Sequence, residues 1–323
     1  MPLVLGLSPN VQTLIADLVQ SVPHETVRAA SVHTKMVAGK KYLYAREKIA
    51  TTFRDRSLGP ADDPAAIALA EDLRSAGKRA RERSKLVTLI KRAGVPFPSK
   101  DMARLMSALS DAGLFAKGAV LVGTAAFQLY PCVVGALLSK GSLQTQDLDL
   151  AIATVAIRSE EPLLEILRVA NPTFRALSGL DPRAFPKRFI ADNGFAVEIL
   201  TPVRSRADAD STPIRGLRAS ATPMQFLNYL IRDAMPAVAL VGSGVPVTVP
   251  LPARYAVHKL IVAQRRQPGS LKRPKDLGQA MELIEALAMS EPNALEDALA
   301  EARARGPEWR RLVAASLKEI GWK

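Results

Sequence analysis

Apolar and polar positions change period several times along the chain. Near the N-terminus Val11, Leu14, Ile15 and Leu18 recur at helical spacing behind Ser8 and Asn10, two residues suited to capping a helix. From Ala30 to Leu58 the period falls to two. Val32, Thr34 and Met36 alternate with other residues, Gly39 turns the chain, and Tyr42, Tyr44, Arg46, Thr52, Arg54 and Arg56 follow, closed by Gly59-Pro60. That pattern predicts a small antiparallel meander. Pro64 opens a long helix reaching to about Arg92, and another helix runs from Ser99 to about Leu109, ending near Gly113.

The middle of the chain mixes both periods. Gly118 to Val122 reads as a short apolar strand broken by Gly123-Thr124, and Ala125 to Tyr130 opens a helix that Pro131 disturbs. A loop from Gly135 to Gln146 leads into Asp147-Leu-Asp-Leu-Ala-Ile, a strand of period two. Glu161 to Ala170 is helical, and Phe195 to Leu200 is another alternating strand, ended by Thr201-Pro202. From Pro252 the pattern is helical throughout: Ala253 to Arg266, Lys275 to Ala288, Ala294 to Arg305 and Pro307 to Ile320, with Gly269 to Pro274 as a basic loop. Mixed strands and helices followed by a helical run predict an α+β fold. The expected organisation is an N-terminal helix, meander and basic helix over 1–113, a mixed-sheet core with flanking helices over 114–250, and a helical region over 251–323.

Composition changes this picture in two ways. Hydrophobic residues make up 48% of 323, enough for a core and against global disorder, and the length suits roughly two domains. Lys and Arg number 44 against 31 Asp and Glu, an excess of +13 that favours a polyanionic partner such as a nucleic acid or nucleotide, or describes a merely basic protein. The long helix concentrates it: Arg74, Lys78, Arg81 and Lys85 share one stripe, which reads as a phosphate-backbone contact or a solvated face. Arg183, Lys187, Arg188, Arg204, Arg206, Arg215 and Arg218 add charge to expected loops, with Phe185 and Phe189 interleaved as in a stacking site. A single cysteine, Cys132, excludes an internal disulfide or a cysteine zinc site and points to the cytoplasm. The longest uncharged run, Ala234 to Ala253, is broken by prolines and glycines, so no membrane helix is expected.

The candidate chemistry centres on Asp147 and Asp149. Two apart on a strand, their carboxylates share one face, where they repel unless a divalent cation neutralises them. Magnesium suits such oxygen ligands. Gly123 permits close backbone approach, and Thr124 at a helix start offers free N–H groups and a hydroxyl to a phosphate, or is a plain cap. Glu198 is the one charge in the strand Phe195-Ala-Val-Glu-Ile-Leu, costly to bury unless paired or metal-bound, unless it lies on a solvated edge. If its strand lies beside that of Asp147, three carboxylates converge and suffice for two magnesium ions.

Leu121-Val-Gly123-Thr124 followed by Thr145-Gln-Asp147-Leu-Asp149-Leu resembles the signature of the polymerase-beta-like nucleotidyltransferase superfamily, over roughly residues 115–202. The longer arrangement is similar to bacterial nucleotidyltransferase-like proteins related to abortive-infection toxins. Two departures stand out: Thr124 replaces the usual Ser or Gly, and the interval from Gly123 to Asp147 is long. The resemblance implies that Asp147, Asp149 and Glu198 are catalytic metal ligands for magnesium, or manganese. It implies that Gly123, Thr124 and Thr145 hold the phosphates of a nucleoside triphosphate. Tyr255 to Arg266, followed by Lys272-Arg-Pro-Lys275-Asp276, is similar to the lysine helix and Lys-Asp pair of the toxin-type enzymes, which adds Lys259 and Lys275 to the phosphate site; Lys259 as a snorkelling residue is the other reading. Asp276 is expected to cap its helix and orient a basic neighbour, and His258 to be structural. The expected activity is transfer of a nucleoside monophosphate to a hydroxyl of RNA, tRNA, a protein or a small molecule. The alternatives are a non-catalytic nucleotide- or RNA-binding module, and the toxin half of a pair with an antitoxin partner.

Overall fold

Capping and periodicity set most of the elements in the computed structural model, which describes residues 4–22, 30–49, 52–139, 147–152, 159, 161–177, 184–203 and 211–322. The chain starts with β1 (Leu5–Gly6) and α1 (Pro9–Ser21), whose Ile15 and Leu18 are buried. A three-stranded antiparallel sheet follows, formed by β2 (Ser31–Val37), β3 (Lys40–Ile49) and β4 (Thr52–Pro60) in that order. Its first turn is two residues long, Ala38 and Gly39, both at positive φ, as a tight hairpin requires. The inner face of this sheet sends Leu43 and Ala45 onto Ala66, Ala70 and Leu73 of α2 (Pro64–Arg92). Asp63 caps α2 by accepting from the Ala65 amide at 3.0 Å. Further along α2, Val87 and Ile90 join a separate cluster with Ile15 and Leu18 of α1.

The central unit runs α3 (Lys100–Asp111), β5 (Ala119–Val122), α4 (Gly123–Phe127), α5 (Tyr130–Val134), β6 (Ala136–Leu137), β7 (Asp147–Ile152), α6 (Leu163–Ala170), β8 (Arg175–Leu177), β9 (Arg188–Ile190), β10 (Ala196–Pro202), β11 (Thr212–Ile214), β12 (Ala219–Met224), α7 (Leu227–Ile231), β13 (Met235–Ala239) and β14 (Val245–Val249). Its sheet is mixed, in the order β11-β12-β10-β7-β5, with β9 also on β10 and β8 on β9; β13 and β14 form a separate hairpin and β1 pairs with β6. β7 and β10 are parallel, and β5 is antiparallel to β7. Pro131 falls in the first turn of α5, which separates it from α4 as the sequence suggested.

Four helices close the chain: α8 (Pro252–Arg265), α9 (Lys272–Ser290), α10 (Pro292–Ala304) and α11 (Pro307–Glu319). α8 is buried along most of its length, and its Leu260 and Ile261 share one core with Leu148 and Leu150 of β7 and Val197 of β10. Among the described residues, no helix is long and apolar enough to cross a membrane.

The fold is α+β, and several local expectations need correction. The stretch 269–274 is not all loop: α9 starts at Lys272 and takes Pro274 into its first turn, where the missing N–H costs no helical bond. Asp276 therefore lies inside α9 and does not cap it. The basic loops around the core conceal short strands. Arg188 and Phe189 are on β9, and Phe189 is buried in the core, so it offers no ring for stacking. Arg183, Arg204 and Arg206 lie outside the described residues.

Candidate active site

Backbone register brings the acidic residues together. Glu198 of β10 is the direct partner of Asp149 on β7, and Ala196 is the partner of Asp147. Side chains in register on adjacent parallel strands point to the same face, so Asp147, Asp149 and Glu198 emerge on one side of the sheet. β10 is an inner strand, flanked by β7 on one side and by β9 and β12 on the other, so Glu198 is not on a solvated edge. On the other flank of β7, Val122 pairs with Asp149, and the chain then turns at Gly123 with φ +60°. A Cβ on Gly123 would fall 2.5 Å from Oδ2 of Asp149, a separation that real Cβ atoms essentially never show. The glycine is therefore required twice, for its φ and for the space that the carboxylate fills.

Electrostatics distinguish the three acids. Asp149 is the deep one, and its carboxyl is pushed up to about 6, first by burial and then by the charges of Glu198 and Asp147; Lys259 and Lys272 oppose the shift. Asp147 is exposed, with Arg188 3.7 Å away, and Glu198 accepts from the Thr222 hydroxyl at 3.1 Å. Among the described residues no three His, Cys, Asp or Glu side chains are gathered as they would be around a bound metal ion. The register assembles the acids while their outer side chains are turned towards protein partners. An all-oxygen donor set with one carboxyl buried beside two further acids has the chemistry that a hard divalent cation takes.

The helical region supplies the opposite charge. Lys259 of α8 lines the same cleft as Gly123 and Asp149, a cavity of about 230 Å³ whose apolar wall includes Met224, Phe226 and Leu230. Its ammonium is bound to Oδ1 of buried Asp276 at 2.6 Å, and Arg266 donates to the other oxygen at 2.9 Å. So Asp276 does orient basic neighbours, from within its helix. Lys275 is half-buried; burial and Lys259 lower its pKa, while Asp276 and Asp147 draw it back up. Lys272, an exposed residue, also bears on Asp149. Thr124 is the second residue of α4, after Gly123, and so is not its cap. Thr145 lies outside the described residues.

Sequence spacing missed Tyr255. Buried on α8, it donates its hydroxyl to the carbonyl of Gly123 at 2.8 Å and lies 3.1 Å from Oε1 of Gln279. This ties the glycine turn to the helical region across 132 positions of sequence, a distance at which periodicity carries no signal. Thr222 was missed for the same reason, and Arg188, read as a loop cation, was not placed beside Asp147. His258 is buried, with neither ring nitrogen hydrogen-bonded, and burial, then the charge of Lys259, lowers its pKa to about 3; it is a neutral wall of the cleft. Burial also pushes the Cys132 thiol up to about 12, which leaves it inert.

A mixed sheet carrying Gly-Thr and Asp-x-Asp side by side defines a class, and comparison with known families agrees. The nucleotidyltransferase family matches residues 100–304, and the chain belongs to that family. No curated protein sequence matches. Among solved structures, the chain is similar to an antigenic nucleotidyltransferase-like protein from Paracoccidioides brasiliensis, at 16% identity over 68% of this chain and 95% of that one, with a TM-score of 0.33.

Proposed function

We propose that this protein transfers a nucleoside monophosphate from a nucleoside triphosphate to a hydroxyl acceptor on RNA, tRNA, a protein or a small molecule, and releases pyrophosphate. The observation that carries the reading is the register of β7 and β10, with Asp149 opposite Glu198 and against Gly123. Asp147, Asp149 and Glu198 would hold magnesium or manganese, with oxygens enough for two ions. When bound, the metal supplies charge that neutralises the triphosphate and eases ionisation of the attacking hydroxyl. The other tasks fall to the chain. Gly123 offers bare backbone to the phosphates, Thr124 adds a hydroxyl, and Tyr255 steadies the turn by holding its carbonyl. Lys259, Lys272 and Lys275 provide a positive field on the α8–α9 side for the charge that leaves with pyrophosphate. Glu198 favours loss of the acceptor proton, and the apolar cleft wall beside Asp149 excludes water.

The test is incubation with each α-labelled nucleoside triphosphate, magnesium or manganese, and cellular RNA, tRNA or protein. Label should pass to a macromolecule with the wild type and be lost with Asp147→Ala and Asp149→Ala. Absence of transfer with every nucleotide and acceptor, or full transfer by Asp149→Ala, overturns the proposal. One observation favours a second reading, a non-catalytic nucleotide- or RNA-binding module: Asp147 has Arg188 beside it and Glu198 is engaged by Thr222. That module would bind nucleotide equally well after both aspartates are replaced. As a toxin with an antitoxin partner, the protein would arrest growth when expressed, and Asp147→Ala would relieve the arrest.

A further inference from the structure

The three-stranded sheet of β2–β4 has a second face that α2 does not cover. Register fixes what it carries. His33 pairs with Tyr44, Lys35 with Tyr42 and Val37 with Lys40 across β2–β3, while Arg46 pairs with Asp55 across β3–β4. Direct partners share a face, opposite to that of Leu43 and Ala45, which pack on α2. Phe53, two positions from Asp55 on β4, shares the outer face and is 66% exposed.

The solvated face of an antiparallel sheet is normally polar, and this one carries rings set among cations. Tyr44 is braced rather than loose: the His33 ring stacks on it at 6.1 Å between centroids, and the Lys35 ammonium lies 4.9 Å from its centre. Asp55 is the one acid on this face among the described residues. It receives Lys35 at 2.6 Å and Arg46 at 2.8 Å, which fixes two cations beside the rings. By register this face carries Lys35, Lys40 and Arg46 against Asp55, so cations outnumber acids on it. Phosphates satisfy the charge, and the flat faces of unstacked bases satisfy the rings.

Position argues for a polymer over a mononucleotide. No described residue of β2–β4 lines the cleft at Asp149, so a mononucleotide held there leaves this face untouched, whereas a chain-like ligand can engage it as well.

We propose that the outer face of β2–β4 docks single-stranded nucleic acid, with Tyr42, Tyr44 and Phe53 against bases and Lys35, Lys40 and Arg46 against phosphates. Docking itself is independent of catalysis; that the docked strand is also the acceptor rests on the transfer reading above.

The experiment is fluorescence anisotropy of the full chain with a labelled single-stranded RNA of mixed sequence and its DNA counterpart, titrated at several salt concentrations. Phe53→Ala, at an exposed ring, should weaken binding about 5- to 100-fold, the range of one lost base stack. Lys40→Glu should weaken it and make the salt slope shallower by roughly one phosphate contact. Unchanged melting temperatures would show that both variants remain folded. Repeating the series in the Asp149→Asn background separates the two claims: loss of binding by Phe53→Ala there supports docking whether or not the wild type transfers nucleotide. The proposal is overturned if both meander variants bind like the wild type, or if Arg74→Ala and Lys78→Ala on α2 alone abolish binding. It is also overturned if vesicles with anionic headgroups are bound and single strands are not.

Discussion

Gly123→Ala is the sharpest probe of the site, because one added carbon meets two obstacles of known kind. The position has φ +60°, and an alanine there costs about 1–2 kcal/mol through its left-handed backbone. The new Cβ would also stand 2.5 Å from Oδ2 of Asp149, so about 1 Å of displacement is needed to restore van der Waals contact. The turn cannot give freely, since Tyr255 holds the Gly123 carbonyl at 2.8 Å. The carboxylate is therefore the group that moves, and moving it costs about 1–2 kcal/mol more, as overpacking does. The sum of about 2–4 kcal/mol lowers the melting temperature by roughly 3–6 °C in a chain of this size. Displacing a catalytic group by about 1 Å costs on the order of 100-fold in rate. Differential scanning fluorimetry and label transfer measure the two effects. Gly118→Ala is the control: its φ is +92°, but nothing lies within 4 Å of the added carbon, so it meets backbone strain alone. If Gly123→Ala melts no lower than Gly118→Ala and transfers label at the wild-type rate, the close approach of glycine and carboxylate has no functional meaning.

Asp149→Asn should abolish transfer and yet stabilise the metal-free protein. Burial and its acidic neighbours raise this carboxyl from 3.8 to about 6, so the folded state loses stability as pH rises from about 4 through 6; removing the charge recovers up to about 3 kcal/mol at pH 7, seen as a higher urea midpoint. Glu301 has the opposite sign. Burial raises its pKa, but hydrogen bonds from Arg254 and Arg305 more than reverse this and bring it to about 2. Its contribution is present above about pH 4.5 and lost as pH falls towards 2, so Glu301→Gln should flatten the acid limb of a melting-temperature profile in that window. Lys259→Met removes the closer of the two cations that bind buried Asp276 and should cost about 3 kcal/mol in urea unfolding; Lys259→Met with Asp276→Leu should recover most of it. A double variant as unstable as Lys259→Met alone would show that the pair is not coupled.

What was legible in the sequence was local. Pro64 announces α2, Ser99 announces α3, and Gly39 the hairpin, because helix starts and turns are chemistry between near neighbours. The alternation of Asp147, Leu148, Asp149 and Leu150 gave the strand and the shared face of its acids. Two kinds of information were not local. β8, β9 and β11 have three residues each, too few for a period to show, so Arg188 and Phe189 looked like loop residues. Partnerships across the chain left no trace either: Tyr255 with Gly123, Thr222 with Glu198, and Arg188 with Asp147 depend on strand order and helix placement. The Lys259–Asp276 pair lies between these cases, since one turn joins α8 and α9 and only the rotation of the two helices was hidden.

The two sides of the cleft are balanced differently, and the difference explains how a repulsive acidic cluster is tolerated. On the helix side, Asp276 binds Lys259 and Arg266 at 2.6 and 2.9 Å, which locks both cations in place and leaves one positive charge over. On the sheet side, Asp149 has negative neighbours in Glu198 and Asp147, and Lys259 and Lys272 only partly offset them. Negative charge is thus left in excess on two inner strands joined by five consecutive register pairs. That pairing keeps the acids from separating to relieve their repulsion, and Tyr255 keeps the glycine turn from retreating. A site built in this way gains stability when a cation and its phosphates bind, which is the sign required of a nucleotide site and the reverse of a structural ion pair. Thermal shift therefore decides between them without any turnover: magnesium with a nucleoside triphosphate should raise the melting temperature of the wild type and leave that of Asp149→Asn unmoved.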